Sequence, residues 1–140
     1  MNFLIDTNVA SDITKPQPNA RVLGWYGAQP PEALFISALT LGEVRKGILL
    51  LDEGARRRSL FRWLQDVLEP SFEGRILNAD LAVAHTWAEM QAKCRRQGRI
   101  LPTMDSLIAA TALTHGFTVA TRNTADFMAT GVPVVNPWEA

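Results

Sequence analysis

The chain has 140 residues, 47% of them hydrophobic and 20% charged, with 14 basic side chains against 14 acidic ones. Such a chain is the size of one globular domain and long enough to bury a core of its own. Its zero net charge excludes bulk electrostatic binding of a nucleic-acid duplex, so a nucleic-acid partner would need a local basic patch or a metal ion.

In chain order, "NFLID" (2–6) reads as a buried strand that runs into Thr7 and Asn8, where the chain turns into a helix. "KPQPNA" (15–20) and "AQPPEA" (28–33) are proline-rich loops on either side of a helix over 20–28. "ALFIS" (33–37) is a second strand. A helix over 40–52 places Leu41, Val44, Ile48 and Leu51 on one face, and one over 54–68 carries Leu60, Trp63, Leu64, Val67 and Leu68. "GRILNA" (74–79) is the weakest strand signal. A long helix over 79–97 has Leu81, Ala84, Ala88, Met90 and Gln91 on its apolar stripe. A further helix over 103–115 stops at Gly116 and is followed by strands "FTVAT" (117–121) and "VPVVN" (132–136). The strands do not alternate apolar with polar, which is the pattern of a parallel sheet covered on both faces. The expected fold is a three-layer α/β/α sandwich with a mostly parallel sheet of four or five strands. Ligands of such sheets bind beyond the carboxyl ends of the strands.

Four acids fall at that edge. Asp6 follows the first strand, where it also suits an N-cap. Glu43 opens the helix after the second strand, and "TLGE" (40–43) fits a capping box with Thr40 as the cap. Asp105 lies in the first turn of the helix 103–115, with Thr103 as a cap, where the macrodipole favours an anion. It shares a stripe with Ile108, Ala109 and Ala112, however, and a carboxylate facing inward is expensive unless something neutralises it. Asn123 and Asp126 follow the strand 117–121, as cap and third residue of a short helix. Thr121, the last residue of that strand, stands at the same rim as a supporting side chain.

Capping explains each acid separately but not their convergence. Carboxylates sharing one cleft raise one another's pKa values, and a divalent cation relieves the repulsion. The lone cysteine, Cys94, sits in a helical stretch as a passive thiol, and the histidines His85 and His115 lack metal-ligand spacing. An all-oxygen ligand set selects Mg²⁺ or Mn²⁺ over zinc. The implied chemistry is metal-assisted hydrolysis of a phosphodiester. One cysteine, no signal peptide and no apolar run near the ~20 residues of a membrane span lead to the expectation of a soluble, cytoplasmic protein without a membrane partner.

"FLIDTN", "LTLGEVRKGI", "PTMDSLIAATALTHGFTVATRNTADF" and the closing "VPVVNPWEA" resemble the PIN-domain family, specifically its VapC-type toxins. The resemblance spans essentially the whole chain, with 53–75 contributing least. It implies a magnesium-dependent endoribonuclease, held inactive by a cognate antitoxin and usually a homodimer. Asp6, Glu43 and Asp105 match the family's metal-binding acids, and Thr7 and Asn8 the polar pair that orients the first. Where many members carry an acid directly after the fourth strand, this chain has Asn123. Asp126 is taken as the fourth acid, with Asn123 supporting it.

A neutral protein needs local positive charge to hold RNA. Arg122 is the first choice by position, with Arg45 and Lys46 beside Glu43, and Arg95, Arg96 and Arg99 as a further cluster. Arg56, Arg57 and Arg58 read as a solvated helix face. Trp25, Trp63, Trp87 and Trp138 read as packing residues, although a tryptophan is also able to stack bases. Two alternatives remain at this stage. One is a non-catalytic binding module whose acids are only caps. The other is an aspartyl-phosphate phosphotransferase using Asp6, which would need a second aspartate where Asn8 stands.

Overall fold

A computed structural model describes residues 1–140. Five short strands, β1 (Phe3–Ile5), β2 (Leu34–Ser37), β3 (Ile76–Leu77), β4 (Thr118–Ala120) and β5 (Val134–Val135), form one sheet in the order β3-β2-β1-β4-β5. Every neighbouring pair is parallel, and Leu4 of β1 stands opposite Phe35 of β2 and Val119 of β4. The weak segment 74–79 does contain a strand, but only its two central residues pair as one. β5 is equally short, lying between Pro133 and Pro137, which cannot donate to a ladder.

The pleat divides the core. Phe3, Ile5, Leu34 and Ile36 point to one face and pack with Val22, Leu41, Ile48, Leu64, Leu68 and Phe72. Leu4 and Val119 point to the other and pack with Val83, Met90, Ile108, Ala109 and Phe127. The helices covering the first face include α2 (Ala20–Ala28), α3 (Ala38–Leu49) and α4 (Ala55–Trp63), which continues through a π-helical turn, Leu64–Leu68, into α5 (Glu69–Ser71). The second is covered by α6 (Leu81–Arg96), α7 (Thr103–His115) and α8 (Thr124–Met128). α1 (Thr7–Asp12) leads directly out of β1 and rests on α3. This is the expected α/β/α sandwich, with all five strands parallel.

Several local expectations are corrected. The buried stripe of α6 is Val83, Met90 and Cys94, with Trp87 beside it; Leu81 is 72% exposed, and Ala84 and Ala88 face solvent. Large side chains at i, i+4, i+7 and i+11 bury more apolar area than a stripe of alanines, so they set which way the helix turns. Val67 is also outward, at 54% exposure, because the π turn shifts the helical phase there. α3 begins two residues earlier than its apolar pattern, capped by Ser37, whose Oγ accepts from the Leu39 amide at 3.0 Å. α7 ends as expected, with Gly116 left-handed at φ 73° and Phe117 donating back to the Ala112 carbonyl at 2.8 Å.

Candidate active site

From β1 the chain builds outward through β2 to β3, then returns to the other side of β1 for β4 and β5. The order therefore reverses between β1 and β4, and in sheets of this kind the crevice that takes a ligand lies beyond the carboxyl ends at such a reversal. Asp6 leaves β1 and Thr121 leaves β4 into that crevice. Thr121 Oγ1 donates to Asp6 Oδ2 at 2.7 Å, and Asn8 Nδ2 donates to the same oxygen at 3.3 Å. The Thr7 amide donates to Asp6 Oδ1 at 2.8 Å, so the capping role is real, but it occupies only one carboxylate oxygen. Thr121 Oγ1 also accepts from Asn8 Nδ2 at 3.3 Å and from the Asn123 amide at 3.0 Å. One hydroxyl thus ties the ends of two strands together. Asp6 is 4% exposed, and burial pushes its pKa above the usual carboxylate value; the Thr121 and Thr7 bonds oppose that rise, and Glu43 adds to it.

Glu43 is not in a capping box. With α3 starting at Ala38, Glu43 stands in its second turn, and Thr40 is buried inside the helix with an unpaired hydroxyl. The box signal misleads here because Ser37, at the strand's end, takes the cap first. Glu43 Oε1 instead accepts from Thr7 Oγ1 at 3.1 Å. Thr7 therefore links two acids, one through its amide and one through its hydroxyl.

Asp105 is the third residue of α7. Thr103 is not its cap: the cap position is Pro102, which offers no side-chain bond. The first turn is fixed another way. Ser106 Oγ donates to the Thr103 carbonyl at 2.8 Å and accepts from Trp87 Nε1 at 3.0 Å and Gln91 Nε2 at 2.8 Å, pinning α7 to α6. Sequence reading did not find this cluster, since a serine following an aspartate carries no distinctive signal. Asp105 is half-buried, and desolvation raises its pKa, with Asp6, Asp126 and Glu43 adding like-charge repulsion in that order. Asp126 is exposed on α8. Asn123 occupies the cap position of α8 without a side-chain cap bond, and its contribution to the site is the backbone bond to Thr121.

The two ion pairs of the molecule, Lys15–Asp12 at 3.4 Å and Arg57–Glu53 at 3.7 Å, lie elsewhere, so no protein cation neutralises any of the four acids. Arg122 sits at the rim: its amide donates to Asn8 Oδ1 at 3.3 Å, and its guanidinium lies 5.2 Å from the centre of the Trp138 ring. Arg45 and Lys46 are exposed on α3, with Arg45 leaning over Phe61 at 5.3 Å. Arg56 and Arg58 are solvated as expected, whereas Arg57 folds inward towards Phe61. Arg95, Arg96 and Arg99 are exposed around the end of α6. A groove of about 660 Å³ starts at Thr7 and Glu43 and runs past Lys15 and Arg56 to Leu60 and Trp63. Of the tryptophans, Trp63 lines this groove, Trp25 packs edge-on to Phe3, and Trp87 holds Ser106.

The donor set fits a hard divalent cation: four carboxylates and neighbouring hydroxyl and amide oxygens, with Cys94 buried in the core beneath α7 and α8. The fit is one of chemistry and uncompensated charge rather than a closed cage, because no three acid, histidine or cysteine side chains already stand close enough together to grip an ion.

A family model described as "PIN domain" matches residues 3–131. The chain belongs to the PIN-domain family. It is 47% identical over 138 residues to the plasmid stability protein StbB of Pseudomonas syringae pv. tomato, covering 99% of each chain. It is 40% identical to the VapC ribonuclease Y4jK of Sinorhizobium fredii, covering 98% of each, and 42% identical to toxin FitB of Neisseria gonorrhoeae, covering 97% and 98%. Among solved structures, the crystal structure of FitAcB from Neisseria gonorrhoeae superposes with a TM-score of 0.93 at 40% identity over 99% of both chains. A toxin–antitoxin complex from Klebsiella pneumoniae gives 0.73 at 28% identity over 97% and 98%.

Proposed function

We propose that this chain is a Mg²⁺-dependent endoribonuclease, the toxin of a toxin–antitoxin pair, hydrolysing RNA phosphodiester bonds until a cognate antitoxin blocks it. The observation that carries the reading is electrostatic. Asp105 is held half-buried among Asp6, Asp126 and Glu43, and no protein cation offsets them. Relatives named as a ribonuclease and as a toxin, matched over nearly the whole chain, support the choice of substrate and partner.

In this reading Asp6, Glu43, Asp105 and Asp126 hold Mg²⁺, or Mn²⁺ in its place. When bound, the ion supplies a Lewis acid that activates water and neutralises charge building on the phosphorus. The chain's own residues do the rest. Thr121, Asn8 and the Thr7 amide fix the orientation of Asp6. Thr7 couples Glu43 to it through its hydroxyl. Asn123 holds Thr121 through its amide. Arg122 and Arg45 bind the RNA backbone through their guanidinium N–H donors, and Lys46 as a point charge, on an otherwise neutral protein. The same reading places the protein in the cytoplasm as a homodimer, which sedimentation equilibrium of the purified chain tests. No helix is long and apolar enough to cross a membrane.

The decisive experiment incubates antitoxin-free protein with total RNA and Mg²⁺ and maps the new ends. The Asp6→Ala protein serves as control. Cleavage that needs Mg²⁺ and vanishes in the control is expected; cleavage that survives Asp6→Ala removes the assignment. The phosphotransferase alternative is disfavoured by Asn8, whose amide donates to the very oxygen of Asp6 that a second aspartate would repel.

A further inference from the structure

We infer that Trp138 is a positioning residue that holds the Arg122 guanidinium at the rim of the acid crevice, where it contacts the RNA substrate; the inference rests on the ribonuclease reading above. β4 and β5 are parallel neighbours, with Ala120 opposite Val135 and the Thr121 amide bonded to the Val135 carbonyl at 3.0 Å. Arg122 and the turn Pro137–Glu139 therefore leave the sheet side by side at the carboxyl edge that carries the acids. Asn136 Oδ1 caps this turn through the Trp138 amide at 3.0 Å, and the indole is half-buried against the core on the α2 side. Trp138 is thus anchored at both backbone and ring. Arg122 is anchored as well, by its amide on Asn8 and its head group over the indole, 5.2 Å from the ring centre.

The alternative fate of Arg122 explains why this matters. A long cationic side chain whose backbone leaves the sheet at the edge that carries four carboxylates without cationic partners is expected to reach for one of them. There it would occupy an oxygen that the ion needs and lose its own charge to the substrate. Arg122 pairs with none of them. The indole face offers a competing site. Cation–π attraction uses no hydrogen bond, so the guanidinium keeps its N–H donors for phosphate oxygens. Trp138 in this way separates the anion-binding arm from the cation-binding acids while keeping both at one rim.

The test is a double-mutant cycle in which Trp138→Leu keeps the apolar packing without the π face and Trp138→Phe restores a ring. Binding of a short, fluorescein-labelled, mixed-sequence oligoribonucleotide is followed by anisotropy in EDTA. Cleavage kinetics of the same oligonucleotide are followed in Mg²⁺. Trp138→Leu is expected to weaken binding roughly fivefold and to raise KM more than it lowers kcat, with Trp138→Phe recovering most of the loss. In the Arg122→Ala background, Trp138→Leu should add less than about twofold, because the arm it positions is gone. Equal losses in both backgrounds, no loss at all, or no rescue by phenylalanine overturns the inference. Should Trp138→Leu melt early, Trp138→Met takes its place in the cycle under the same criteria. A wild type that binds the oligonucleotide without cutting it overturns the nuclease reading alone, whereas one that fails to bind RNA overturns this inference.

Discussion

The two halves of the crevice are built differently. Around Asp6, at the junction of β1 and β4, both carboxylate oxygens are occupied by Thr7, Asn8 and Thr121, and the surrounding groups bond one another. Around Asp105 and Asp126, on α7 and α8, the structure fixes the helix through Ser106 but supplies the carboxylates with no cation. Hydrogen-bonded preorganisation is possible where two adjacent strands end together, since backbone and short side chains reach across. It is harder to arrange on separate helices, where repulsion must wait for an ion. The difference divides the site into a rigid anchor and a half that an ion would complete.

The largest effect should come from removing a charge from either half. Asp6→Ala and Asp105→Asn are each expected to reduce RNA cleavage more than about 100-fold, as metal-ligand losses exceed losses in the surrounding shell. Rates measured at saturating Mg²⁺ check this. Their stabilities should diverge. Asp6→Ala strips the acceptors from three donors in a buried place and costs about 1–3 kcal/mol in denaturant unfolding. With both variants unfolded in EDTA, so that no ion contributes, Asp105→Asn should cost nothing. Equal stability losses would erase the proposed division. Next in size, Thr121→Val leaves Asp6 Oδ2, Asn8 and the Asn123 amide short of a partner. It should destabilise the fold by about 1–3 kcal/mol and slow cleavage ~10-fold or more. Thr121→Ser keeps the hydroxyl and should behave nearly as wild type. A Thr121→Val protein with full activity would show that the Asp6 network is not the anchor.

How much of this was legible follows the same division. The sheet was readable because buried parallel strands are short apolar runs, and the edge of the site because Asp6 and Thr121 end two of them. The start of α3 was not, because a capping-box pattern at Thr40–Glu43 is local, while the actual cap at Ser37 is decided by where β2 stops. The face of α6 was misjudged for a related reason: alanines score as apolar, but Val83, Trp87 and Met90 decide the packing. The Ser106 cluster and the Arg122–Trp138 pair join residues distant in sequence, Ser106 with Trp87 and Gln91 on another helix and Arg122 with the last turn. No spacing rule encodes such contacts.

The remaining predictions probe the ion-dependent half. If the acids bind Mg²⁺, the ion stabilises the wild type by about 2.7 kcal/mol at a hundredfold excess over Kd. Thermal melting should show that shift shrinking in Asp105→Asn. An equal shift in both proteins would move the ion elsewhere. The smallest effect is the pH dependence without metal. The raised pKa of Asp105 means that the folded state holds a proton more tightly than the unfolded chain, whose reference value is 3.8. Its stabilising contribution is therefore complete below that value and is lost as pH rises through the higher folded pKa. Asp105→Asn has no such loss. In EDTA it should melt a little above the wild type at neutral pH, with the gap closing as pH falls towards 4. The partial exposure of the side chain keeps the gap small, because water screens part of the repulsion. Wild-type melting that rises relative to Asp105→Asn from acid to neutral pH would mean that a cationic partner satisfies this carboxylate, and the contrast between the two halves would disappear.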